Sequence, residues 1–237
     1  MSAASEPPVS ASVDDQVVEE WILDTPPRLD AVQRRLGWLA GRVPAPRLIR
    51  SEHGPPPTIV VEALRGERAT AVEHRLDASR AITSFAGALA AVHALDASTC
   101  PFEVDVAAMV DGIVHRAATD DLAVDDPAYA HVAPERLADL LADGVDRFAI
   151  PSRPVVCNGH PTLGDCVIDG ATAGFERVDG LGVADVCFDL AIAARSVARD
   201  FDPSFVGPFF EAYGDASDTW PIDLARLDWF QLLDALR

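Results

Sequence analysis

The chain has 237 residues, 49% of them apolar, which is enough to bury the core of one large domain or of two small lobes. Its formal charge of −19 repels phosphate backbones and anionic lipid, so nucleic acid and membranes are excluded as partners, whereas a basic protein or a small cationic ligand would be attracted. All 19 basic residues are arginine, and the absence of lysine excludes chemistry that requires an ammonium group.

The first quarter of the chain predicts a disordered arm followed by β-rich structure. Residues 1–15 are mostly Ser, Ala, Pro and Asp and have little to bury, so we expect disorder there. Residues 16–23 (QVVEEWIL) favour a strand, and residues 29–39 place apolar side chains at helical spacing after a Pro-Pro start. The apolar runs at 44–50 and 58–64, separated by HGPPP, are typical of a strand, a turn and a second strand.

Helices dominate the rest of the chain. The apolar periodicity predicts helices at 78–95, 106–118, 134–148, 184–199, 203–213 and 223–237. Between residues 154 and 181 the pattern changes to short β-rich pieces separated by turns that contain glycine. Such an insert among helices is a frequent place for a functional site.

The cysteines and the N-terminal sequence predict a cytoplasmic protein. The four cysteines, Cys100, Cys157, Cys166 and Cys187, lie in apolar runs without CxxC spacing, which favours buried thiols over a zinc site or disulfides. The N-terminus lacks the basic and apolar regions of a signal peptide, and the chain has no uninterrupted apolar run of about 18 residues.

Three phrases resemble the aminoglycoside phosphotransferase family. Residues 155–201 (VVCNGHPTLGDCVIDGATAGFERVDGLGVADVCFDLAIAARSVARDF) are similar to the family core VVxHGDxxxxN, GFIDxGxxGxAD and QDxA. Residues 92–102 (VHALDASTCPF) resemble LHxLDxxTCPF, and residues 231–237 (QLLDALR) resemble the C-terminal LLDEFF. Several phrases in one order at similar spacing are far more specific than any one alone.

The resemblance implies an α+β, protein-kinase-like fold of two lobes. We expect a truncated β-rich N-lobe with one helix and a hinge at residues 16–66, and a mainly helical C-lobe at 67–237. The residues that match the family scaffold around the site are Gly174, Phe175, Leu181, Gly182, Ala184, Asp185 and Asp189.

By the same resemblance, the positions of the family's general base and metal ligands hold different residues in this chain. Where the family has HGD, whose Asp accepts the proton of the substrate hydroxyl, this chain has Asn158, Gly159 and His160. Asp165 stands at the family's metal-binding Asn, and Arg177 stands by ungapped count at the Asp that ligates Mg²⁺. A guanidinium cannot ligate a cation, so metal binding should be badly weakened.

The changed residues leave several ways to rescue the site. His160 is a possible general base near neutral pH, and Asp165 with Asp179 could form a displaced metal site. Alternatively, Arg177 could pair with a phosphate without metal. The N-lobe argues against nucleotide, because the chain has no lysine for the phosphates, Val32 stands at the helix Glu, and Glu19 lies near the lysine position.

The length of the N-lobe also argues against a nucleotide. Roughly 27 residues precede the first helix, too few for a nucleotide-covering hairpin with its partner strands. On the substrate side, Asp125, Asp126 and Asp234 are candidates to pair with ammonium groups, as acids do in the family.

Three functions are therefore open. The first is a catalytically inactive pseudokinase that binds a protein or a small molecule and needs no cofactor. The second is a phosphotransferase that uses ATP or GTP with Mg²⁺, with His160 as base and Asp165 and Asp179 for the metal. The third is a module that holds an aminoglycoside or polyamine without modifying it. A short N-lobe that exposes apolar surface would also be compatible with a homo-oligomer.

Overall fold

The computed structural model describes residues 9–13, 16–119, 121–124, 126–218 and 221–236. Its N-terminal part is an antiparallel sheet with the spatial order β1-β2-β4-β3. The strands are β1 (Val9–Val13), β2 (Gln16–Ile22), β3 (Arg47–Glu52) and β4 (Thr58–Glu62). β-branched residues dominate β4, which lies between two neighbours and is almost fully buried, as expected for a central strand.

One helix, α1 (Pro26–Leu39), packs against β3 and β4. Two prolines open it, where a missing N–H costs nothing. Leu29, Val32 and Leu36 lie on one face and are buried together with Leu39. The helix predicted at 29–39 and the strands predicted around it are thus confirmed.

The predicted disordered arm needs a correction. Residues 9–13 form β1, which pairs antiparallel with β2 from Val9 opposite Glu20 to Val13 opposite Gln16. The backbone hydrogen bonds of this pairing order a segment whose composition alone offered little to bury. The prediction that the segment before α1 is too short for a hairpin with its partner strands is also wrong, because β1 and β2 pair there as antiparallel strands. The other residues of the arm lie outside the described residues.

The C-terminal part is mainly helical. Its helices are α2 (Val72–Leu76), α3 (Ala78–His93), α4 (Val106–Ala118), α5 (Pro134–Phe148), α6 (Val186–Asp200), α7 (Val206–Ala216) and α8 (Leu224–Leu236). Apart from the five-residue α2, each lies where its periodicity predicted a helix. α6 is buried along almost its whole length and packs against α8 and α7. Among the described residues, no helix is long and apolar enough to cross a bilayer.

The β-rich insert is confirmed as two small antiparallel sheets. One has the order β5-β7-β8 and the other pairs β6 with β9. Their bounds are β5 (Glu67–Arg68), β6 (Pro154–Cys157), β7 (Cys166–Asp169), β8 (Thr172–Phe175) and β9 (Gly182–Asp185). The loops at 158–165 and 176–181 connect the strands of one small sheet to those of the other, and they carry the candidate site residues. The cysteines are free thiols, and all but the half-buried Cys100 are buried, as predicted.

Candidate functional site

The second residue of the loop that follows β6 is a glycine, Gly159, whose backbone lies close to a second loop. Gly159 has φ of 90°, in the region that favours glycine. A methyl group there would lie 2.2 Å from the carbonyl oxygen of Gly180. The Asn158 side chain joins the same two loops, because its Nδ2 donates to the carbonyl oxygen of Arg177 at 2.9 Å. The 158–165 and 176–181 loops are therefore held in direct contact.

A buried carboxylate in the first turn of α6 fixes the 158–165 loop. Asp189 is fully buried and accepts the backbone N–H of Asn158 at 2.6 Å and that of Gly159 at 2.9 Å. Its Oδ2 also lies 3.1 Å from Nε2 of His93, whose Nδ1 is 2.7 Å from the hydroxyl of Tyr213. These hydrogen bonds satisfy a carboxylate that could not otherwise be buried.

His160 and Asp165 form a hydrogen-bonded pair at the mouth of this loop. Nδ1 of His160 lies 3.1 Å from Oδ2 of Asp165, which also accepts the Thr162 hydroxyl at 2.8 Å. Burial would raise the pKa of Asp165, but the hydrogen bonds from His160 and Thr162 and the charges of His160 and Arg177 outweigh it and lower that pKa. The carboxylate is thus kept ionised and orients the imidazole.

Two arginines form ion pairs with the carboxylate of Asp179. Nε of Arg177 lies 3.1 Å from Oδ1, and Nη2 of Arg28, in the first turn of α1, donates to Oδ2 at 2.9 Å. Burial raises the pKa of Asp179, but the Arg177 charge and the hydrogen bonds from Arg28 and Arg177 prevail and lower it. Both oxygens of the carboxylate are therefore engaged by guanidinium groups.

The space between the lobes, which we call the interlobe cleft, has a volume of about 370 Å³. Its charged lining residues are Glu19, Glu20, Arg28, Arg68, Asp165, Glu176, Arg177 and Asp179. Glu176 pairs with Arg68 at 2.8 Å. Burial, with smaller contributions from the nearby Glu19 and Asp165, raises the pKa of Glu176, although Arg68 opposes this. The lining therefore carries five acids and three arginines, an excess of negative charge that disfavours anionic ligands.

The carboxylates of the cleft are poor candidate ligands for Mg²⁺, the metal that the resemblance implies. Magnesium requires oxygen ligands in octahedral geometry, yet Asp179 is engaged by two guanidinium groups and Asp165 by His160 and Thr162. Within the described ranges, the only three potential ligands within 4.8 Å of one another are His93, Cys157 and Asp189. That group is already hydrogen-bonded, and burial raises the pKa of the Cys157 thiol well above its ordinary value.

The acids predicted to face a cationic substrate are brought together, but around an arginine. Arg195 of α6 forms an ion pair with Asp126 and lies 3.1 Å from Asp234 of α8. The guanidinium therefore already provides the positive charge that a ligand ammonium group would bring to these carboxylates. Asp125, the third candidate, lies outside the described residues.

The sequence interpretation missed several of these residues. Arg28 precedes Asp179 by 151 residues, and Arg68 precedes Glu176 by more than 100, so no local spacing could have joined them. Arg195 occupies an apolar helix, and a charged residue in such a position was the one signal that could have marked it as a partner of partly buried acids.

The architecture is kinase-like: a helix-backed antiparallel sheet, a cleft, and a helical lobe in which two loops that connect small sheets lie at the cleft. The profile of the phosphotransferase enzyme family matches residues 19–230. The chain therefore belongs to that family, as the motif resemblance predicted.

Known proteins support this assignment. The aminoglycoside 3'-phosphotransferase of Streptomyces ribosidificus is 28% identical over 216 residues, which are 87% of this chain and 80% of that protein. A solved aminoglycoside phosphotransferase of Streptomyces rimosus superposes with a TM-score of 0.78 at 21% identity, covering 96% of this chain and 92% of the other. An aminoglycoside 3'-phosphotransferase of type VIII gives 0.77 at 25% identity, with 96% and 93% coverage.

Proposed function

We propose that this chain is a family member without phosphotransferase activity, which acts by binding a partner. The observation that carries the proposal is the engagement of Asp179 by Arg28 and Arg177. A transferred phosphoryl group depends on cations that neutralise its charge, normally metal ions and a lysine. Here the carboxylate nearest the altered metal position is unavailable to a metal, and the chain has no lysine at all.

The other wall of the cleft supports the same proposal. Glu19 and Glu20 line the cleft from β2, and Glu176 lies close enough to Glu19 for their charges to interact. Nucleotide phosphates entering here would meet carboxylates in a partly desolvated space, where repulsion is stronger than in water.

The test combines turnover with binding. The purified chain is incubated with Mg²⁺, ATP or GTP and a panel of aminoglycosides, and released ADP or GDP is measured beside an active aminoglycoside 3'-phosphotransferase. We expect no release above the blank and no nucleotide-dependent rise in melting temperature. Turnover comparable with that of the active enzyme would overturn the proposal.

One observation favours a second candidate, an active phosphotransferase with a rearranged base. Asp165 holds His160 through Nδ1, and the described residues offer no hydrogen-bond partner to Nε2, which leaves that nitrogen available to accept a substrate proton. If this is the function, His160→Ala and Asp165→Ala each abolish turnover. Unchanged turnover in both variants would eliminate these roles.

The third candidate, a binder of cationic small molecules, has weaker support because Arg195 neutralises Asp126 and Asp234. Calorimetry with spermine at low and moderate salt distinguishes it. Saturable binding that weakens with salt and disappears in an Asp126→Asn variant is the result this candidate requires.

A further inference from the structure

The short helix α2 exposes large apolar side chains that pack against nothing in the described chain. Val72 is 71% exposed and Leu76 is 86% exposed, and no residue of α2 is buried. The two lie four residues apart and therefore project from the same face of the helix. Exposed apolar surface of this kind on a folded protein commonly marks a contact with another molecule.

A groove lies beside this helix, between α3 and α7. Its volume is about 480 Å³, and its apolar lining includes the buried Ile82 and the small residues Gly87, Ala212 and Ala216. We call it the α3/α7 groove. Ser79, which also lines it, follows Leu76 by three residues, so chain geometry keeps the two within about 11 Å of each other. The groove and the exposed side chains of α2 are therefore neighbours on the protein.

The border of this surface is acidic. Glu211 and Asp215 of α7 line the groove and are exposed, and Glu73 and Asp77 are exposed beside the apolar residues of α2.

The nearby arginines are turned to the main chain. Nε of Arg75 donates to the carbonyl oxygen of Thr70, and Nη2 of Arg80 donates to that of Gly170. These bonds direct the two guanidinium groups toward carbonyl oxygens but leave them charged, so four acids and two arginines give the border of the apolar surface a net negative charge.

We propose that α2 and the α3/α7 groove form a docking surface for a basic amphipathic segment of a partner protein. Apolar side chains of that segment cover Val72 and Leu76 and enter the groove, while its arginine or lysine side chains pair with Glu211 and Asp215. A second copy of this chain fits poorly, because its charge of −19 would bring acids against acids. The surface shares no lining residue with the interlobe cleft, so the proposal does not depend on whether the cleft is active.

The probe is a fluorescein-labelled helical peptide with leucines at i, i+3, i+4 and i+7 and lysine at the remaining positions, compared with the same peptide carrying glutamate instead. Fluorescence anisotropy at physiological salt measures its affinity for the full chain. Hydrogen exchange of the complex is expected to show protection in α2, α3 and α7.

Three double variants separate specific docking from general charge attraction. Val72→Ser with Leu76→Ser removes apolar contact at constant charge, and Glu211→Arg with Asp215→Arg reverses the border. Asp139→Arg with Asp143→Arg, on exposed positions of α5, is the charge-matched control. Circular dichroism verifies that each is folded.

We expect at least tenfold weaker binding in the first two variants and less than twofold change in the control. Equal weakening by both charge-reversal variants, no effect of the serine variant, or protection outside these three helices would overturn the proposal.

Discussion

Arg28 and Asp179 join the two lobes through a contact at 2.9 Å between Nη2 and Oδ2. Arg28 lies in the first turn of α1, and Asp179 lies in the loop that precedes β9. A second arginine of the same helix reinforces the connection, because Nε of Arg35 donates to the carbonyl oxygen of Leu181 at 2.8 Å. The helix is therefore attached along its length to the loop that carries the altered metal position, which favours a fixed relation between the lobes.

Replacing Arg28 by Ala should loosen this connection. The pair is partly exposed, so we expect a loss of up to about 1 kcal/mol in unfolding free energy. Amides in α1 and in the 177–181 loop should exchange faster with deuterium, because their shared contact is gone. Arg34→Ala is the matched control, since Arg34 is exposed and its Nε donates to the carbonyl oxygen of Asp30 in its own helix. Identical exchange in the two variants would contradict the lobe connection.

The same contact predicts a pH dependence. Arg177 and Arg28 hold the pKa of Asp179 below its ordinary value of 3.8. A carboxyl whose pKa is lowered by folding contributes stability that is present above its unfolded pKa and lost as the pH falls through its folded pKa. Asp179→Asn should therefore be less stable than the wild type at neutral pH, and the difference should vanish with acidification below 3.8. Urea unfolding across this pH range measures it, with the exposed Asp139→Asn as a control that shows no such trend.

Helices such as α1 were predictable because they bury one apolar stripe, formed in α1 by Leu29, Val32 and Leu36. β1 was not predicted, because the five residues VSASV lie in a segment dominated by Ser, Ala, Pro and Asp, and their order comes from backbone pairing with β2. α2 was not predicted, because a segment of five residues is too short to show the apolar periodicity of a helix.

At the site, the motif resemblance predicted which residues take part, but it could not predict which side chains contact each other. The motif resemblance predicted that Arg177 stands at a metal-ligand position, yet nothing local indicated that Arg28 would share its carboxylate partner. Such contacts depend on how α1 meets the C-lobe, which only the three-dimensional packing determines.

Asp189→Asn tests the buried anchor of the 158–165 loop. One carboxylate oxygen becomes an NH₂ group that faces the N–H of Asn158 or of Gly159, so donors oppose each other without water. We expect a loss of about 3 kcal/mol, in the range for breaking a buried charge network. Equilibrium denaturation measures it, and the exposed Asp139→Asn controls for loss of a negative charge. A change below about 0.5 kcal/mol, typical of surface positions, would show that the anchor is dispensable.

Gly159→Ala tests the close approach of the two site loops. Its φ of 90° disfavours a side chain, and the added methyl group would lie 2.2 Å from the carbonyl oxygen of Gly180. We expect destabilisation of more than about 1 kcal/mol. Gly164→Ala is matched in the same loop, because its nearest neighbour would be 3.8 Å away, and it should change stability by less than about 0.5 kcal/mol. Equal effects would mean that the loops can separate without cost.

Arg177→Asp tests whether the arginine excludes metal from the cleft. The substitution removes one of the two guanidinium groups on Asp179 and adds a carboxylate near Asp165, whose charge already interacts with position 177. Carboxylate oxygens are the ligands that Mg²⁺ and Mn²⁺ prefer, so the variant should gain a rise in melting temperature with these ions that the wild type lacks. Arg177→Gln separates loss of positive charge from gain of a ligand and should gain little. If Arg177→Asp and the wild type respond equally to the ions, Arg177 does not control metal access, and the inactivity proposed for this chain would have to rest on the absence of lysine alone.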